Sequence, residues 1–217
     1  MILAAGRGER LRPLTDTTPK PLIKVAGKSL IEYHLENLAK AGIKDIVINT
    51  AWLAEKIHAQ LGDGSNYGVS IRYSDEGTAL ETAGGIIHAL PLLGDSPFLV
   101  VNGDIWTDFD FSGLPELKPE HEAHLVLVDN PEHNTRGDFS LENGLLKNSG
   151  ENSYTFSGIG IYRPEFFAGR QQGVCALGPL LREKAEKNLI SAQLYHGQWT
   201  DVGTITRLQE LEQQLTR

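Results

Sequence analysis

Residues 3–15 read Leu-Ala-Ala-Gly-Arg-Gly-Glu-Arg-Leu-Arg-Pro-Leu-Thr, and Pro19-Lys20-Pro21 follows shortly afterwards. In this stretch a short apolar strand runs directly into a glycine turn. Gly6 and Gly8 let a ligand approach the backbone closely, and the exposed amides of such a turn form a concavity suited to anions. Six of the first 28 residues are basic and two are acidic, although the whole chain carries a formal net charge of −8. The pattern indicates a local phosphate site rather than a nucleic-acid-binding surface, although glycines followed by surface cations also occur without a ligand in α/β proteins.

The remainder of the chain predicts an α/β fold. Apolar strands alternate with helices in the first half, which is typical of a parallel sheet with helices on both faces. The predicted strands of that half are 2–5, 45–49, 69–74 and 98–102, and its helices are 29–41, 51–61 and 82–90, the last ended by Pro91. The second half predicts strands at 124–129, 155–162 and 190–195, a hairpin over 138–147, and helices at 177–188 and 204–215. We therefore expect a Rossmann-like, mixed and mostly parallel sheet with a smaller lobe.

Composition narrows the class of protein. The chain has 217 residues, of which 40% are hydrophobic and 22% charged, as in ordinary globular domains. It contains no apolar run of about 18 residues, so no membrane segment is predicted. Its single cysteine, Cys175, excludes an intramolecular disulfide and favours a cytoplasmic location. Cys175 is expected in the core, His121 and His124 are expected at the surface, and the histidines show no zinc-binding spacing.

Two aspartates are candidate metal ligands. Asp104 follows the apolar strand 98–102, at the end of a strand where open α/β sheets bind ligands. Asp201 follows an aromatic segment and precedes a helix. Each has an ordinary alternative, a β-turn for Asp104 and a helix start for Asp201. Together they offer the carboxylate oxygens that Mg²⁺ prefers.

The string in residues 3–21 resembles the opening of the sugar-1-phosphate nucleotidyltransferases, also called NDP-sugar pyrophosphorylases. Val101-Asn-Gly-Asp104 and Trp199-Thr-Asp-Val-Gly-Thr204 resemble the two metal-bearing segments of the same family. The resemblance covers nearly the whole chain. It implies a single domain over 1–217, with a nucleotide-binding core in 1–110 and with the sugar-binding half and second metal ligand in 111–217. It also implies Mg²⁺ on Asp104 and Asp201.

The resemblance assigns roles to individual residues. Arg10 is expected to bind the β- and γ-phosphates, and Lys20 the α-phosphate and the incoming sugar phosphate. The remaining nucleotide contacts are expected from two glycine-bearing segments and a strand end, namely Leu3, Ala4, Ala5, Gly6, Arg7, Gly8, Glu81, Thr82, Gly84, Gly85, Asn102 and Gly103. The sugar contacts are expected from Gly137, Glu151, Ser157 and Gly158. Close helix–sheet packing is the alternative reason for Gly84 and Gly85.

Within the family, short uridylyltransferases of peptidoglycan recycling are the proteins that five segments resemble, namely residues 29–34, 102–108, 125–131, 136–139 and 156–159. This closer resemblance implies UMP transfer from UTP to N-acetylmuramate 1-phosphate. Other short sugar- or choline-phosphate nucleotidyltransferases, such as mannose-1-phosphate guanylyltransferases, and a non-catalytic nucleotide-binding subunit are the alternatives. Glu81-Thr82 departs from the Gly-Thr or Ala-Gln of many relatives and leaves the base preference open. The sequence also leaves open whether Lys24 joins the phosphate site and whether the chain is a monomer or a homodimer.

Overall fold

The structure is a computed structural model and describes residues 1–216. Its strands, in chain order, are β1 (Ile2–Leu3), β2 (Lys24–Val25), β3 (Lys28–Ser29), β4 (Asp45–Thr50), β5 (Ser70–Asp75), β6 (Phe98–Asn102), β7 (Ile105–Thr107), β8 (Ala123–Val128), β9 (Phe139–Glu142), β10 (Leu145–Lys147), β11 (Ser153–Tyr162), β12 (Ile190–Tyr195) and β13 (Trp199–Asp201). The helices are α1 (Leu14–Thr17), α2 (Leu30–Lys40), α3 (Ala54–Leu61), α4 (Glu81–Leu93), α5 (Leu177–Glu186) and α6 (Ile205–Leu215).

One sheet of nine strands runs through both halves of the chain in the order β5-β4-β1-β6-β11-β8-β12-β10-β9. Strands β5, β4, β1 and β6 are parallel neighbours, and so are β8 and β12. Strand β11 lies between β6 and β8 and is antiparallel to both. Strand β10 is also antiparallel to both of its neighbours, β12 and β9. The predicted mixed sheet is therefore confirmed.

Helices cover both faces of this sheet, as predicted. On one face, Leu35 of α2 and Ile57 of α3 belong to a buried apolar cluster with Ile48 of β4. On the other face, Ile86 of α4 and Leu181 of α5 belong to a second buried cluster. Burial of apolar surface on both faces is the main favourable term in the folding of such a sheet.

Two short strand pairs stand outside the main sheet. Strand β2 pairs with β3 just before α2, and β7 pairs with β13 in antiparallel fashion. The second pair joins residues that are far apart in the chain. It carries the C-terminal segment back to the end of β6.

Several local features match the sequence and several do not. Helix α2 begins at the predicted capping box, where the Glu32 carboxylate accepts the backbone N–H of Ser29 at 2.8 Å. Helix α3 begins later than predicted, because Leu53 adopts a left-handed φ of 50°. The expectation that α4 ends before Pro91 is wrong. The helix continues to Leu93. Pro91 removes only one backbone hydrogen bond, and the leucines that follow it still pack on the core.

The expectation that His124 lies at the surface is also wrong. His124 is buried in β8, an interior strand with neighbours on both sides. Its two ring nitrogens meet the Ser191 hydroxyl at 2.9 Å and the Gln193 side-chain oxygen at 3.0 Å, both on β12. These polar partners make burial of the imidazole tolerable.

Two further expectations concern Cys175 and the membrane. Cys175 is partly buried and packs against the apolar cluster of α4 and α5, so it lies at the margin of the core rather than within it. Among residues 1–216, no helix is both long and apolar enough to cross a bilayer.

Candidate active site

A cleft opens where β1, β4 and β6 end. Its volume is about 380 Å³. This edge of an α/β sheet is where ligands bind, since the loops diverge there and leave a crevice. The cleft is lined by residues from the loops after these strands, from the start of α4 and from the segment before α6, namely Leu3, Ala4, Ala5, Gly6, Gly8, Glu9, Arg10, Lys20, Pro21, Asn49, Glu76, Ala79, Glu81, Thr82, Asn102, Asp104 and Gly203.

The glycine loop after β1 takes the shape that its sequence predicts. Gly8 has a left-handed φ of 69°, and its carbonyl accepts the Thr15 hydroxyl at 2.9 Å. A Cβ at Gly8 would stand 3.0 Å from Cγ2 of Thr15 and 3.2 Å from Cβ of Lys20, so a side chain there would be crowded as well as conformationally strained. At Gly6 a Cβ would meet nothing within 4 Å, so that face of the backbone is open toward a ligand.

Lys20 and Asp104 meet in the cleft. The Lys20 ammonium lies 2.5 Å from Oδ2 of Asp104, and the lysine is 8% exposed. Asp104 is held by its neighbour Gly103, whose N–H donates to the Leu3 carbonyl at 2.8 Å. A Cβ on Gly103 would approach that carbonyl to 2.5 Å, so a side chain there would push β6 away from β1.

Asp201 is brought beside Asp104 by strand pairing. Asp201 of β13 is in register with Ile105 of β7, and the N–H of Val202 donates to the Asp104 carbonyl at 2.8 Å. Oδ1 of Asp201 meets Nη1 of Arg207 and Nε2 of His133, both at 2.8 Å.

Arg207 and His133 are site residues that the sequence did not reveal. Arg207 lies in the first turn of α6, and His133 lies in the loop after β8. The one sequence signal for the arginine is its position on the helix that follows Asp201. Nothing in the sequence marks the histidine, because its position depends on tertiary structure.

The arginines of the N-terminal loop point in different directions. Arg10 lines the cleft, and its Nη2 would be 3.0 Å from a Cβ built on Gly203. The Arg7 guanidinium instead lies 4.4 Å above the Trp52 ring and pairs with Glu9 at 3.2 Å. Lys24 is exposed on β2, outside the cleft. Of these cations, only Arg10 is directed at the cleft.

The start of α4 forms the opposite wall. Glu81 and Thr82 line the cleft, and Glu81 has a left-handed φ of 59°. Such a φ is uncommon outside glycine and marks a backbone held by its surroundings. Gly84 and Gly85 do not line the cleft. The Gly84 N–H donates to the Cys175 carbonyl at 3.0 Å, and a Cβ on Gly85 would collide with the Glu76 carboxylate.

The predicted sugar residues lie further along the second half. Gly158 has a φ of 82° and packs against the side chain of Asn102, which itself lines the cleft. Ser157 is buried in the bulge of β11, and its hydroxyl donates to the Val126 carbonyl at 2.6 Å. Gly137 packs on Tyr154, and Glu151 is exposed before β11. None of these four residues lines the cleft itself within the described part of the chain.

One buried histidine lies close to Asp104. His34 of α2 is 1% exposed, and burial lowers its pKa to about 4, against smaller opposing effects of a backbone hydrogen bond at Ile105 and of the Asp104 charge. The ring is therefore neutral at physiological pH and adds no positive charge next to Asp104.

The fold and the cleft define a class of protein. The family model described as nucleotidyl transferase matches residues 1–140 of the chain. The chain therefore belongs to that family. The family expected from residues 3–21 is thereby confirmed. A solved structure of a putative glucose-1-phosphate thymidylyltransferase from Bacillus anthracis has the same fold, with a TM-score of 0.87 and 24% identity over 98% of this chain and 93% of that one.

Two curated relatives are similar over nearly their whole length. The chain is 57% identical to N-acetylmuramate alpha-1-phosphate uridylyltransferase of Neisseria meningitidis, covering 98% of this chain and 96% of that protein. It is 36% identical to the protein of the same name from Caulobacter vibrioides, covering 94% and 90%. The chain is thus a sugar-1-phosphate nucleotidyltransferase by family and by fold.

Proposed function

We propose that the protein transfers UMP from UTP to N-acetyl-α-muramate 1-phosphate, giving UDP-N-acetylmuramate and pyrophosphate. The choice of nucleotide and sugar rests on the two relatives of that name, which match across nearly the whole chain. The chemistry rests on one observation, the Lys20–Asp104 pair in a cleft that also holds Arg10. A cytoplasmic site of action is part of the proposal, because a nucleoside triphosphate is one of the substrates.

The reaction asks the protein to hold two polyanions together. An oxygen of the sugar phosphate forms a bond to the α-phosphorus of UTP, and the bond from that phosphorus to the β-phosphate oxygen breaks. The attacking oxygen is already an anion, so no strong general base is required. Positioning and charge stabilisation supply the catalysis.

Lys20 and Arg10 are the catalytic residues of the proposal. The Lys20 ammonium is a compact charge suited to the α-phosphate and the incoming sugar phosphate. The planar Arg10 guanidinium, with several donors, suits the β- and γ-phosphates of the leaving group. In the structure Lys20 pairs with Asp104, so in the reaction it exchanges a carboxylate oxygen for a phosphate oxygen.

Asp104 and Asp201 fit a divalent cation. The β7–β13 pairing brings the two residues side by side, and each carboxylate uses only one oxygen in its ion pairs. Among residues 1–216, no three His, Cys, Asp or Glu side chains cluster as a metal site. Two carboxylates suit Mg²⁺, which keeps waters and takes substrate phosphate oxygens. When bound, Mg²⁺ would neutralise phosphate charge.

In this proposal, different residues contact the nucleotide and the sugar. Residues 3–6, Gly8, Glu81, Thr82, Asn102 and Gly103 lie in or beside the cleft and would contact the nucleotide. Arg7, Gly84 and Gly85 would shape that site from behind it. Gly137, Glu151, Ser157 and Gly158 are proposed for the sugar side, where Gly158 already touches Asn102.

The test is a matrix of substrates with Mg²⁺ and pyrophosphate release as the readout. The nucleotides are UTP, GTP, CTP, ATP and dTTP, and the sugars are the 1-phosphates of N-acetylmuramate, N-acetylglucosamine, glucose and mannose. Turnover with UTP and N-acetylmuramate 1-phosphate alone is expected. Turnover with another pair would replace the proposed substrates, and no turnover with any pair, together with intact nucleotide binding, would indicate a regulatory subunit.

A further inference from the structure

Helix α3 and the residues just before it contact the loop that follows β1. Trp52 lies two residues after the end of β4, and its indole N–H donates to the Thr15 carbonyl at 2.9 Å. One turn further along, the Lys56 ammonium donates to the Thr17 carbonyl at 2.5 Å. Neither donor lines the cleft. The loop is therefore held by side chains that stand outside the site itself.

The two acceptors are groups that α1 cannot satisfy by itself. A helix leaves its last carbonyls without partners inside the helix, and α1 has only four residues, Leu14–Thr17. The indole N–H and the lysine ammonium supply partners for two of these carbonyls. The position of this short helix is thus fixed by its contacts with α3 and with the residue two places before that helix.

Thr15 connects this contact to the turn that carries Arg10. The Thr15 hydroxyl donates to the Gly8 carbonyl at 2.9 Å, and the same carbonyl accepts the Leu11 N–H at 2.9 Å. Arg10 lies between Gly8 and Leu11 in a single 3-10 turn. Thr15 is 1% exposed and Leu11 is fully buried, so water does not compete for these hydrogen bonds. The backbone of Arg10 is therefore tied to Thr15 and, through it, to Trp52.

The ring of Trp52 makes a second contact with the same loop. The Arg7 guanidinium above this ring is at a distance typical of a cation–π interaction. Because Arg7 directly precedes Gly8, the indole contacts the loop both before and after the turn that carries Arg10. The next residue, Leu53, has a left-handed φ, which is uncommon for leucine and indicates a backbone held by its surroundings.

We propose that Trp52 is a positioning residue for the triphosphate, which acts by fixing the turn that presents Arg10 to the β- and γ-phosphates, with Lys56 in support. This inference rests on the proposed function. A loop that is already held in place need not be ordered when the nucleotide binds, so the entropic cost of ordering it is avoided. Lys20, the proposed partner of the α-phosphate, lies in a separate turn and has its own ion pair with Asp104. The effect of Trp52 is therefore confined to the pyrophosphate half of the nucleotide.

The test compares the binding of UTP with that of UMP, which lacks the β- and γ-phosphates. Trp52→Phe keeps an aromatic ring beside Arg7 and removes the indole N–H. Lys56→Met removes the second donor. Isothermal titration calorimetry in the presence of Mg²⁺ gives the Kd of each nucleotide for each variant. Lys40→Met removes another exposed helical lysine, at the end of α2, and is the matched control.

Trp52→Phe should weaken UTP binding by about 3-fold to 10-fold, the loss expected for one net hydrogen bond, while the Kd of UMP stays as in wild type. Lys56→Met should lower the preference for UTP over UMP in the same direction, and the double variant should lower it further than either single one. With the sugar 1-phosphate as second substrate, the KM for UTP should rise and the KM for the sugar should not change. Lys40→Met should leave both Kd values unchanged.

Equal losses of UTP and UMP binding in Trp52→Phe would show that Trp52 supports the whole site or the fold, and would overturn the positioning role. Unchanged binding of both nucleotides would overturn it as well. If Trp52→Phe does not fold, Lys56→Met decides by the same ratio, because its side chain is exposed. A wild type that binds another nucleoside triphosphate but not UTP would overturn the proposed nucleotide instead, and the ratio is then measured with that triphosphate and its monophosphate.

Discussion

The Lys20 ammonium is largely shielded from water and lies next to the Asp104 carboxylate. Its side chain is 10% exposed and its only described ion pair is with Asp104. Lys20→Ala should lower kcat by about 100-fold or more with a smaller change in KM, because a donor to the transition state is lost. Steady-state kinetics with both substrates measures this. Lys24→Ala removes an exposed lysine outside the cleft and should leave the rates unchanged; a change in KM alone at Lys20 would contradict its catalytic role.

His34 predicts an acid sensitivity of the fold. The unfolded chain takes up a proton at this residue near its ordinary pKa of 6.5, whereas the buried ring does so only at about 4. The folded state therefore binds fewer protons between these values, and stability is lost as the pH falls from 6.5 toward 4.

The size of the effect follows from that shift. At pH 5 the buried ring should cost about 2 kcal/mol of unfolding free energy compared with pH 7. His34→Leu should lose that much less stability over this range than wild type does, as measured by urea unfolding at the two pH values. Equal losses in both proteins would show that the histidine titrates normally in the folded state.

At the scale of the element, helical glycines should respond oppositely to alanine. In an open helix, Gly→Ala stabilises by up to about 1 kcal/mol, and Gly178 of α5 has nothing within 4 Å of a new Cβ. A Cβ on Gly84 of α4 would collide with the Gly173 carbonyl. Gly84→Ala should therefore destabilise by about 1–3 kcal/mol, as overpacking does.

Thermal unfolding of the two variants beside wild type measures the difference. The expected result is a lower Tm for Gly84→Ala and an equal or higher Tm for Gly178→Ala. A Tm of Gly84→Ala equal to or above that of wild type would mean that the loop carrying Gly173 yields to the added methyl group.

The elements also show what a sequence can predict. Helix α2 is predicted correctly because its capping box and its stop at Gly42 are local signals. Strands β7 and β13 are not predicted, since each has three residues and acquires its partner only through tertiary structure. The same limit applies to the site. Asp104 and Asp201 are predicted from motifs, whereas His133 reaches Asp201 only through a contact between distant parts of the chain.

At the scale of the whole molecule, metal chelation should separate activity from stability. Both proposed metal ligands have cationic partners within the protein, Lys20 for Asp104 and Arg207 with His133 for Asp201. Removal of divalent cations with EDTA should therefore abolish turnover while the Tm stays as it was. Added Mg²⁺ should restore the rate. A large drop in Tm on chelation would mean that the cation also holds the fold together.

The sequence predicted the general architecture but not the direction of β11. A pattern of apolar residues predicts a strand but does not predict which strands will pair with it. Strand β11 pairs in antiparallel fashion with β6 on one side and with β8 on the other. Parallel alternation alone would have placed the second half as a separate unit. The hydrogen bonds across β6 and β11 make it a continuation of the first.

The position of β11 in the sheet affects how the chain folds while it is being synthesised. Residues 1–110 contain β1, β4, β5 and β6, yet the outer edge of β6 is covered only when residues 153–162 arrive. Until then an apolar edge with unpaired backbone groups is open to other chains, which is a hazard for aggregation. A fragment of residues 1–110 made alone should accumulate in the insoluble fraction, whereas the full chain stays in solution. Nascent chains of this protein would accordingly depend on chaperones during the interval between the synthesis of β6 and that of β11.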